Sequence, residues 1–341
     1  MLTDGTVNKL TDGTAYNDAT ESEDMKAALF SEGKLLFSGK GTLQVYANCK
    51  AGIRSDDNIF FRPGNNIYVK ATAGNGIKAN DAIYIKGGVI NVEASATAAK
   101  ALSCDGLVQI DGGRTTALTT GDGELDEDGT DVTACAGIKA DSLIVINGGT
   151  VLCKSTGAGG NIETYCYDDA INSALALTVS GGNIFAVGTN NDGIDSNSTL
   201  TISGGVVIAC GTTTPEAGFD CDEHTFAIIG GSSINSGQFI TVADASDNNL
   251  QAFKVPMSYS QQGYTLLLSS PKMTKGNAYT ISSGATVANG TDFCGYVTDA
   301  TISGGTTLTT MALSQMVNSY NYSSGQGQGG GGGRPGEGFG W

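Results

Sequence analysis

Residues 137–151, which read GIKADSLIVINGGTV, contain the pattern that decides the fold. The same phrase recurs at residues 76–90 (GIKANDAIYIKGGVI) and at residues 193–207 (GIDSNSTLTISGGVV). Each copy has a Gly-Ile start, an alternating apolar and polar run, a glycine pair and a second alternating run. A period of two is typical of β-strands, and such recurrence is typical of solenoids. Weaker copies begin at Gly52, Ala101, Ala170 and Gly218.

The spacing of the glycine pairs predicts how the strands are connected. The pairs begin at residues 87, 112, 148, 181, 204 and 230. The repeat unit is therefore about two dozen residues, with loop insertions between some copies. Three short strands per unit, with no helical segment between them, cannot pair in parallel through β-α-β crossovers, whereas coiling allows it. The sequence predicts an all-β fold: a right-handed parallel β-helix with three strands per coil and a C-terminal β-rich cap.

The aligned repeats predict columns of stacked, inward-facing side chains. Burying each apolar side chain stabilises the fold by about 1.5–3 kcal/mol. The glycine pairs are expected at a corner that needs positive φ angles. The first column is Ile77, Leu102, Ile138, Ile171, Ile194 and Phe219; the second is Ile83, Val108, Ile144, Leu177 and Leu200; the third is Ile85, Ile110, Ile146, Val179 and Ile202.

Beyond residue 237 the repeat fades, and longer apolar runs predict antiparallel strands. An open parallel edge would aggregate, so a cap is expected to cover the end of the solenoid. We predict a β-helix over residues 1–236, a β cap packed on it over residues 237–323, and a glycine-rich tail over residues 324–341.

Composition excludes several classes of partner. The chain has 34 acidic and 18 basic residues, with a net charge of −16 and a pI of about 4.3. Nucleic acid is an unlikely ligand, because neutralising phosphates requires Lys and Arg. The acidic surface favours cations, or acidic polymers bridged through cations. No apolar stretch is long enough to cross a bilayer, no signal peptide is visible, and we read the start as truncated. We expect a monomer.

Eight cysteines occur without a CxxC pair, so zinc is not expected. Most of them fall where a small inward residue is required. Buried free thiols are the main interpretation. A disulfide between Cys135 and Cys166 is the alternative.

Several phrases together resemble a bacterial family of surface proteins known as carbohydrate-binding domain proteins, which have a pectate-lyase-like right-handed β-helix. The resemblance covers most of the chain. It implies binding of plant cell-wall polysaccharide, acidic pectic or cellulosic, with bound Ca²⁺, and export to the cell surface. Besides the repeat, the phrases are TDGT at residues 3–6, LTDG at 10–13, SGKGTL at 38–43 and MTKGNAYT at 273–280.

Acidic residues of neighbouring repeats predict a first metal site. Coils stack about 4.8 Å apart, so the aligned carboxylates gather on one edge and repel unless a cation lies between them. Calcium suits clustered carboxylates and amides. A solvated acidic edge is the alternative. The candidate ligands are Asp168, Asp169, Asp192, Asp195, Asp220, Asp222 and Glu223.

The insertion at residues 121–131 predicts a second calcium loop at the same corner. Its acids partly imitate the first positions of a calcium-binding loop, although flanking helices are absent, so this is not an EF-hand. A disordered acidic loop is the alternative. The candidate ligands are Asp122, Glu124, Asp126 and Asp128.

Sugar contacts are predicted at exposed aromatic and basic residues. Tyrosine rings stack on pyranose faces, although tyrosine also covers sheets in an ordinary way. Arg54, Lys78 and Lys139 align in one column in line with Asp195, which keeps a calcium-dependent pectate-type lyase open as an alternative to binding. A structural adhesin without a glycan ligand is a further alternative. No catalytic residue is predicted, and the sugar-binding candidates are Tyr84, Tyr165, Tyr167, Lys78 and Lys139.

Overall fold

The structure is a computed structural model, and its regular secondary structure consists of β-strands. It describes residues 1–16, 25–125, 132–157, 169–189, 191–211, 219–221, 237–255, 265–270, 272–293, 295–314 and 318. No helix among these residues has the length and apolarity needed to span a bilayer. In chain order the strands are β1 (Val7–Thr11), β2 (Ala27–Ser31), β3 (Leu35–Phe37), β4 (Thr42–Ala47), β5 (Ala51–Ser55), β6 (Asn58–Phe61), β7 (Asn66–Ala71), β8 (Ile77–Ala79), β9 (Ala82–Ile85), β10 (Val89–Ala94), β11 (Lys100–Cys104), β12 (Leu107–Ile110), β13 (Arg114–Thr119), β14 (Glu124–Leu125), β15 (Val132–Thr133), β16 (Ala136–Ala140), β17 (Leu143–Ile146), β18 (Thr150–Ser155), β19 (Asp169–Ser173), β20 (Ala176–Val179), β21 (Asn183–Gly188), β22 (Ile194–Ser196), β23 (Thr199–Ile202), β24 (Val206–Gly211), β25 (Phe219–Cys221), β26 (Phe239–Asp244), β27 (Asn249–Lys254), β28 (Thr265–Ser269), β29 (Ala278–Ser283), β30 (Thr286–Ala288), β31 (Thr291–Phe293), β32 (Tyr296–Thr298), β33 (Thr301–Ser303) and β34 (Thr306–Ala312).

Three parallel sheets form the walls of the solenoid. The first sheet has the order β2-β5-β8-β11-β16-β19-β22-β25, and the second sheet runs from β3 through β6, β9, β12, β17 and β20 to β23. The third sheet has the order β1-β4-β7-β10-β13-β18-β21-β24, and β28 adds to β24 in the antiparallel sense. Each coil gives one strand to each sheet, as the seven strands of the second sheet show. The predicted three-strand parallel β-helix is therefore confirmed, while its right hand stays a prediction favoured by the crossover rule.

The predicted inward columns are in register in the structure. Ile138 pairs with Leu102 on one side and with Ile171 on the other, and Ile171 pairs with Ile194. All four side chains are fully buried in one continuous apolar core. The second and third columns pair in the same way along the second sheet. Stacking of like side chains on successive coils builds one apolar interior and explains why the repeat is so regular.

The three corners of the coil differ in how much length they tolerate. Two residues separate a first-sheet strand from the next second-sheet strand, such as Asp141 and Ser142 between β16 and β17, except between β2 and β3, where there are three. The corner from the second to the third sheet carries the glycine pairs, and Gly149 there has a φ of +87°. The corner from the third to the first sheet varies most, from a short turn after β4 to the insertion between β13 and β16. We call it the variable corner.

The C-terminal strands form a separate antiparallel sheet. Its order is β31-β32-β27-β26-β29-β34, and β30 pairs with β33 beside it. Ile240, Val242 and Phe253 from this sheet are buried and belong to the same apolar cluster as the solenoid core. The antiparallel strands expected after residue 237 are thus present, while the proposed domain limits stay a prediction. The predicted tail at residues 324–341 lies outside the described residues.

The described cysteines follow the expected burial in part. The thiols of Cys104 and Cys153 are buried and free, and burial raises the pKa of both. Cys135 is buried, with its thiol near the carbonyl oxygens of Ala96 and Asp122 at 3.7 and 3.5 Å. Its predicted alternative partner, Cys166, lies outside the described residues.

Candidate functional site

The first acidic cluster is joined by asparagine amides. The side-chain amide of Asn191 donates to Asp169 Oδ1 at 2.5 Å, and the backbone N–H of Asp192 donates to the same oxygen at 3.3 Å. Asn172 Nδ2 donates both to Asp169 Oδ2 at 2.9 Å and to Asp195 Oδ2 at 2.6 Å. The fold therefore brings three predicted ligands together, with an amide between the carboxylates of two of them.

The other predicted ligands of this cluster are only partly described. Asp220 pairs with Asp195 in the register of the first sheet, as the repeat alignment predicts. Asp168, Asp222 and Glu223 lie outside the described residues. Asp169 and Asp192 are 5% and 2% exposed, so this edge is more buried than a solvated acidic rim.

The second acidic segment also lies at the variable corner. Glu124 belongs to the short hairpin of β14 and β15 and pairs with Thr133. The carbonyl oxygen of Asp122 accepts a hydrogen bond from the Ala98 backbone at 2.8 Å. Asp126 and Asp128 lie outside the described residues. Within the described ranges, no three or more His, Cys, Asp or Glu side chains are grouped to hold a metal ion, so calcium stays a prediction.

The predicted basic residues of the first sheet are ion-paired. Lys78 Nζ lies 3.1 Å from Asp105, and Lys139 Nζ lies 3.5 Å from Asp141. The outward column Arg54, Lys78, Ser103, Lys139, Asn172 and Asp195 is in register, as the sequence predicts. The roles of Lys78 and Lys139 in sugar binding stay predictions.

Sequence reasoning missed a buried lysine beside this column. Lys100 is 8% exposed, and its Nζ donates to the carbonyl oxygen of Ala98 at 2.8 Å. Burial lowers the pKa of the Lys100 amine to about 8, and the neighbouring Lys139 ammonium adds to the effect. Ala98 itself has a φ of +57°, which is uncommon outside glycine. Lys100 is the first residue of β11, and the small side chains of residues 95–99 before it gave no sign that the lysine would be covered.

The predicted tyrosine Tyr84 faces outward on the second sheet. Its ring stacks on Phe60 of the preceding coil, with centroids 4.7 Å apart and planes 13° apart. Lys86 Nζ lies 5.2 Å from the same centroid. One ring face is therefore occupied by a neighbour, and the sugar-binding role of Tyr84 stays a prediction. Tyr165 and Tyr167 lie outside the described residues.

A polar and aromatic surface covers the outside of the third sheet in the first coils. Its central column runs in register from Lys9 through Gln44, Tyr68 and Asn91 to Thr116. A second column, two residues further along each strand, contains Tyr46, Lys70 and Glu93. We call this surface the polar face, and it consists of Lys9, Gln44, Tyr46, Tyr68, Lys70, Asn91, Glu93 and Thr116.

The two tyrosines of the polar face are neighbours on successive coils. Their ring centroids lie 5.8 Å apart and the planes are tilted by 59°. Lys9 Nζ lies 4.5 Å from the Tyr46 centroid. Burial raises the pKa of the Tyr68 hydroxyl, and the Glu93 carboxylate beside it raises it further. Half-buried rings, amides and charges of both signs are therefore held side by side on rigid strands.

The polar face ends abruptly after β13. The central column continues in register from Thr116 to Leu152, Phe185 and Ile208. These three outward side chains are only 8%, 4% and 1% exposed. Another part of the chain therefore lies over the third sheet in the later coils. The outside of this sheet is divided into an open polar half and a covered apolar half.

Although Tyr46 and Tyr68 fall at outward positions of the alternating runs, sequence reasoning missed the surface they belong to. Besides the two tyrosines, it missed Lys9, Gln44, Lys70, Asn91, Glu93 and Thr116. A usable signal was present in the second alternating run of each repeat. The central outward position of this run is polar or aromatic up to Thr116 and apolar from Leu152 onward.

One family model matches the part of the chain that carries the polar face. Residues 1–123 match the family model described as "carbohydrate-binding domain-containing protein". No curated protein and no solved structure matches the chain. The five strands of the polar face, from β1 to β13, all lie within the matched residues. The family supports glycan binding in general, and the predicted resemblance to a bacterial carbohydrate-binding family is thereby confirmed over residues 1–123.

Proposed function

We propose that the polar face binds plant cell-wall polysaccharide at the bacterial surface without cleaving it. The observation that carries the proposal is the coincidence of two boundaries. The open polar half of the third sheet ends at β13, and the match to the carbohydrate-binding family ends at residue 123. The covered half of the same sheet lies outside that match.

The chemistry of the polar face suits a sugar polymer. Tyrosine rings offer apolar area with a hydroxyl at the edge, while Gln44 and Asn91 offer amide donors and acceptors. Because the side chains stand on strands of a stacked solenoid, they lose little freedom when a ligand binds. A flat, repetitive surface of this kind fits a repetitive linear ligand.

Charge distribution favours the acidic polymers among the possible ligands. Residues 1–123 contain 12 basic and 14 acidic residues, whereas residues 124–341 contain 6 and 20. Lys9 and Lys70 stand on the polar face, and Arg114 lies at its margin on β13. A polyanion is therefore repelled least at this end of an otherwise strongly acidic chain. This supports pectic polysaccharide as the preferred class and cellulose as the neutral alternative.

Replacing Tyr68 by alanine should weaken polysaccharide binding about tenfold, since losing a stacked aromatic ring costs roughly 1–1.5 kcal/mol. Binding is measured by retention on insoluble pectin and cellulose and by calorimetry with soluble polygalacturonate. Thr201→Ala, at an exposed outward position of the second sheet, is the matched control. Tyr84→Ala tests the competing surface.

A Tyr68→Ala protein that melts like the wild type and binds equally well would contradict the proposal. Loss of binding in Tyr84→Ala alone would move the site to the second sheet. No retention of the wild-type protein on any glycan would favour a structural adhesin.

We also propose that calcium binds at the variable corner, where acidic residues from successive coils meet. The supporting observation is the burial of Asp169 and Asp192 beside the half-buried Asp195. The amides now bonded to Asp169 oppose the proposal, because N–H groups cannot coordinate a cation.

Calcium should raise the melting temperature of the wild type by several degrees, and Asp195→Asn should reduce that shift. Differential scanning fluorimetry with added calcium or chelator decides the matter, since an unchanged melting temperature in both would refute the site.

A polysaccharide lyase is the second candidate, favoured by the lowered pKa of Lys100 near Lys78 and Lys139. A lysine that is neutral near pH 8 is suited to act as a general base. The ion pairs of Lys78 and Lys139 and the burial of Lys100 oppose this role.

Incubation with polygalacturonate and calcium at pH 8, followed by the absorbance of unsaturated product, separates the binding protein from the lyase. Product that disappears in Lys100→Met would establish the lyase.

A further inference from the structure

The polar face has a fixed length along the solenoid axis. Five strands contribute to it, and neighbouring strands lie about 4.8 Å apart, so its first and last strands are about 19 Å apart. At one end it reaches β1, which is exposed along its length. At the other end it meets the covered half of the sheet at Leu152.

The direction of a bound polymer follows from where the contacts repeat. Along the axis, the central column presents one polar side chain on every strand, from Lys9 to Thr116. Along a single strand, such as β7, only three residues face outward before the corner is reached. A pyranose unit is about as long as the spacing between coils, ~4.8 Å. A chain parallel to the axis therefore meets a fresh polar contact with each sugar.

The covered half of the third sheet limits how far along the axis a polymer can stay in contact with the polar face. Leu152, Phe185 and Ile208 would be the next contacts of the same column, and all three are buried. A chain that follows the column from β1 has no free contact beyond β13. The site is therefore closed at the β13 end.

We propose that the polar face binds about five consecutive sugars of a linear, unbranched polysaccharide. The bound segment runs along the solenoid axis, with one sugar on each strand. This inference rests on the proposed function of the polar face. It adds the number of sugars and their direction. Units beyond the five strands of the polar face meet none of its residues.

Calorimetry with oligogalacturonides and cello-oligosaccharides of two to eight units tests the inference. Affinity should rise with each added unit up to five and change less than twofold from five to eight. In the double variant Lys9→Ala/Thr116→Ala, which removes both ends of the central column, affinity should level off at three units. Thr201→Ala should keep the wild-type length dependence.

Affinity that keeps rising to eight units, or that is complete with two, would overturn the inference. So would a double variant with the wild-type length dependence. If Tyr68→Ala still weakens binding in that case, the polar face remains the binding site and only the length and direction are wrong. If Tyr68→Ala binds normally, the proposed function itself fails.

Discussion

Replacing Gly149 by alanine should destabilise the protein by about 2–4 kcal/mol, because an L-residue is strained at positive φ and its Cβ has no room. The φ of Gly149 is +87°, and a Cβ there would lie 2.8 Å from the carbonyl carbon of Gly112 on the preceding coil. The obstacle is backbone, which cannot move aside without shifting a neighbouring coil. Urea denaturation followed by circular dichroism measures the loss.

The matched control is Gly33→Ala. Gly33 has no positive φ, and no atom lies within 4 Å of the place its Cβ would take. This substitution should be neutral or slightly stabilising, because it restricts the unfolded chain. Equal losses in both variants would mean that the glycine corner is not held rigidly by the coils around it.

Replacing Lys100 by methionine should stabilise the protein by about 1–2 kcal/mol at pH 7, because the buried ammonium is removed while its volume is kept. The pKa of Lys100 falls from 10.5 to about 8 in the folded protein. Such a shift costs about 3 kcal/mol, and losing the hydrogen bond to Ala98 returns about 1 kcal/mol of it.

The advantage of the Lys100→Met variant should depend on pH. Between pH 8 and 10.5 the unfolded wild type holds a proton that the folded form has released, so wild-type stability rises with pH in this range. The gain from methionine is therefore complete below pH 8 and vanishes as the pH approaches 10.5. Urea titrations of both proteins from pH 6 to 10 measure the difference. Lys34→Met, at an exposed position, should show no such dependence.

The interior of this fold could be predicted from sequence because every coil repeats the same requirement. Each coil needs an apolar side chain at the same inward position, and Ile138, Ile171 and Ile194 meet this need on successive coils. Residues that repeat in the sequence therefore stack into a column in the structure. The positive-φ glycines were predictable for the same reason, since each is fixed by its equivalent on the neighbouring coil. At these positions the alternating pattern within each strand and the repeat between coils predict the same structure.

The outer surfaces were harder, because burial there depends on what lies over the sheet. Thr116 and Leu152 occupy equivalent positions, and the change from a polar to an apolar residue does not by itself show that Leu152 is covered while Thr116 is half-exposed. Lys100 was missed for a similar reason, as its burial results from the conformation around Ala98. Alignment of the acidic residues correctly placed Asp195 beside Asn172, but it could not show that an amide lies between the carboxylates.

At the variable corner, the length of the connecting loop can change while the strands of the solenoid keep their register. The two other corners vary by only one residue, because two or three residues form the first of them and three or four form the second. A segment grafted at the variable corner leaves all three columns intact and lies at the margin of the third sheet. Lengthening or shortening these loops can therefore reshape the ligand surface over evolutionary time, while the stacked interior is inherited unchanged.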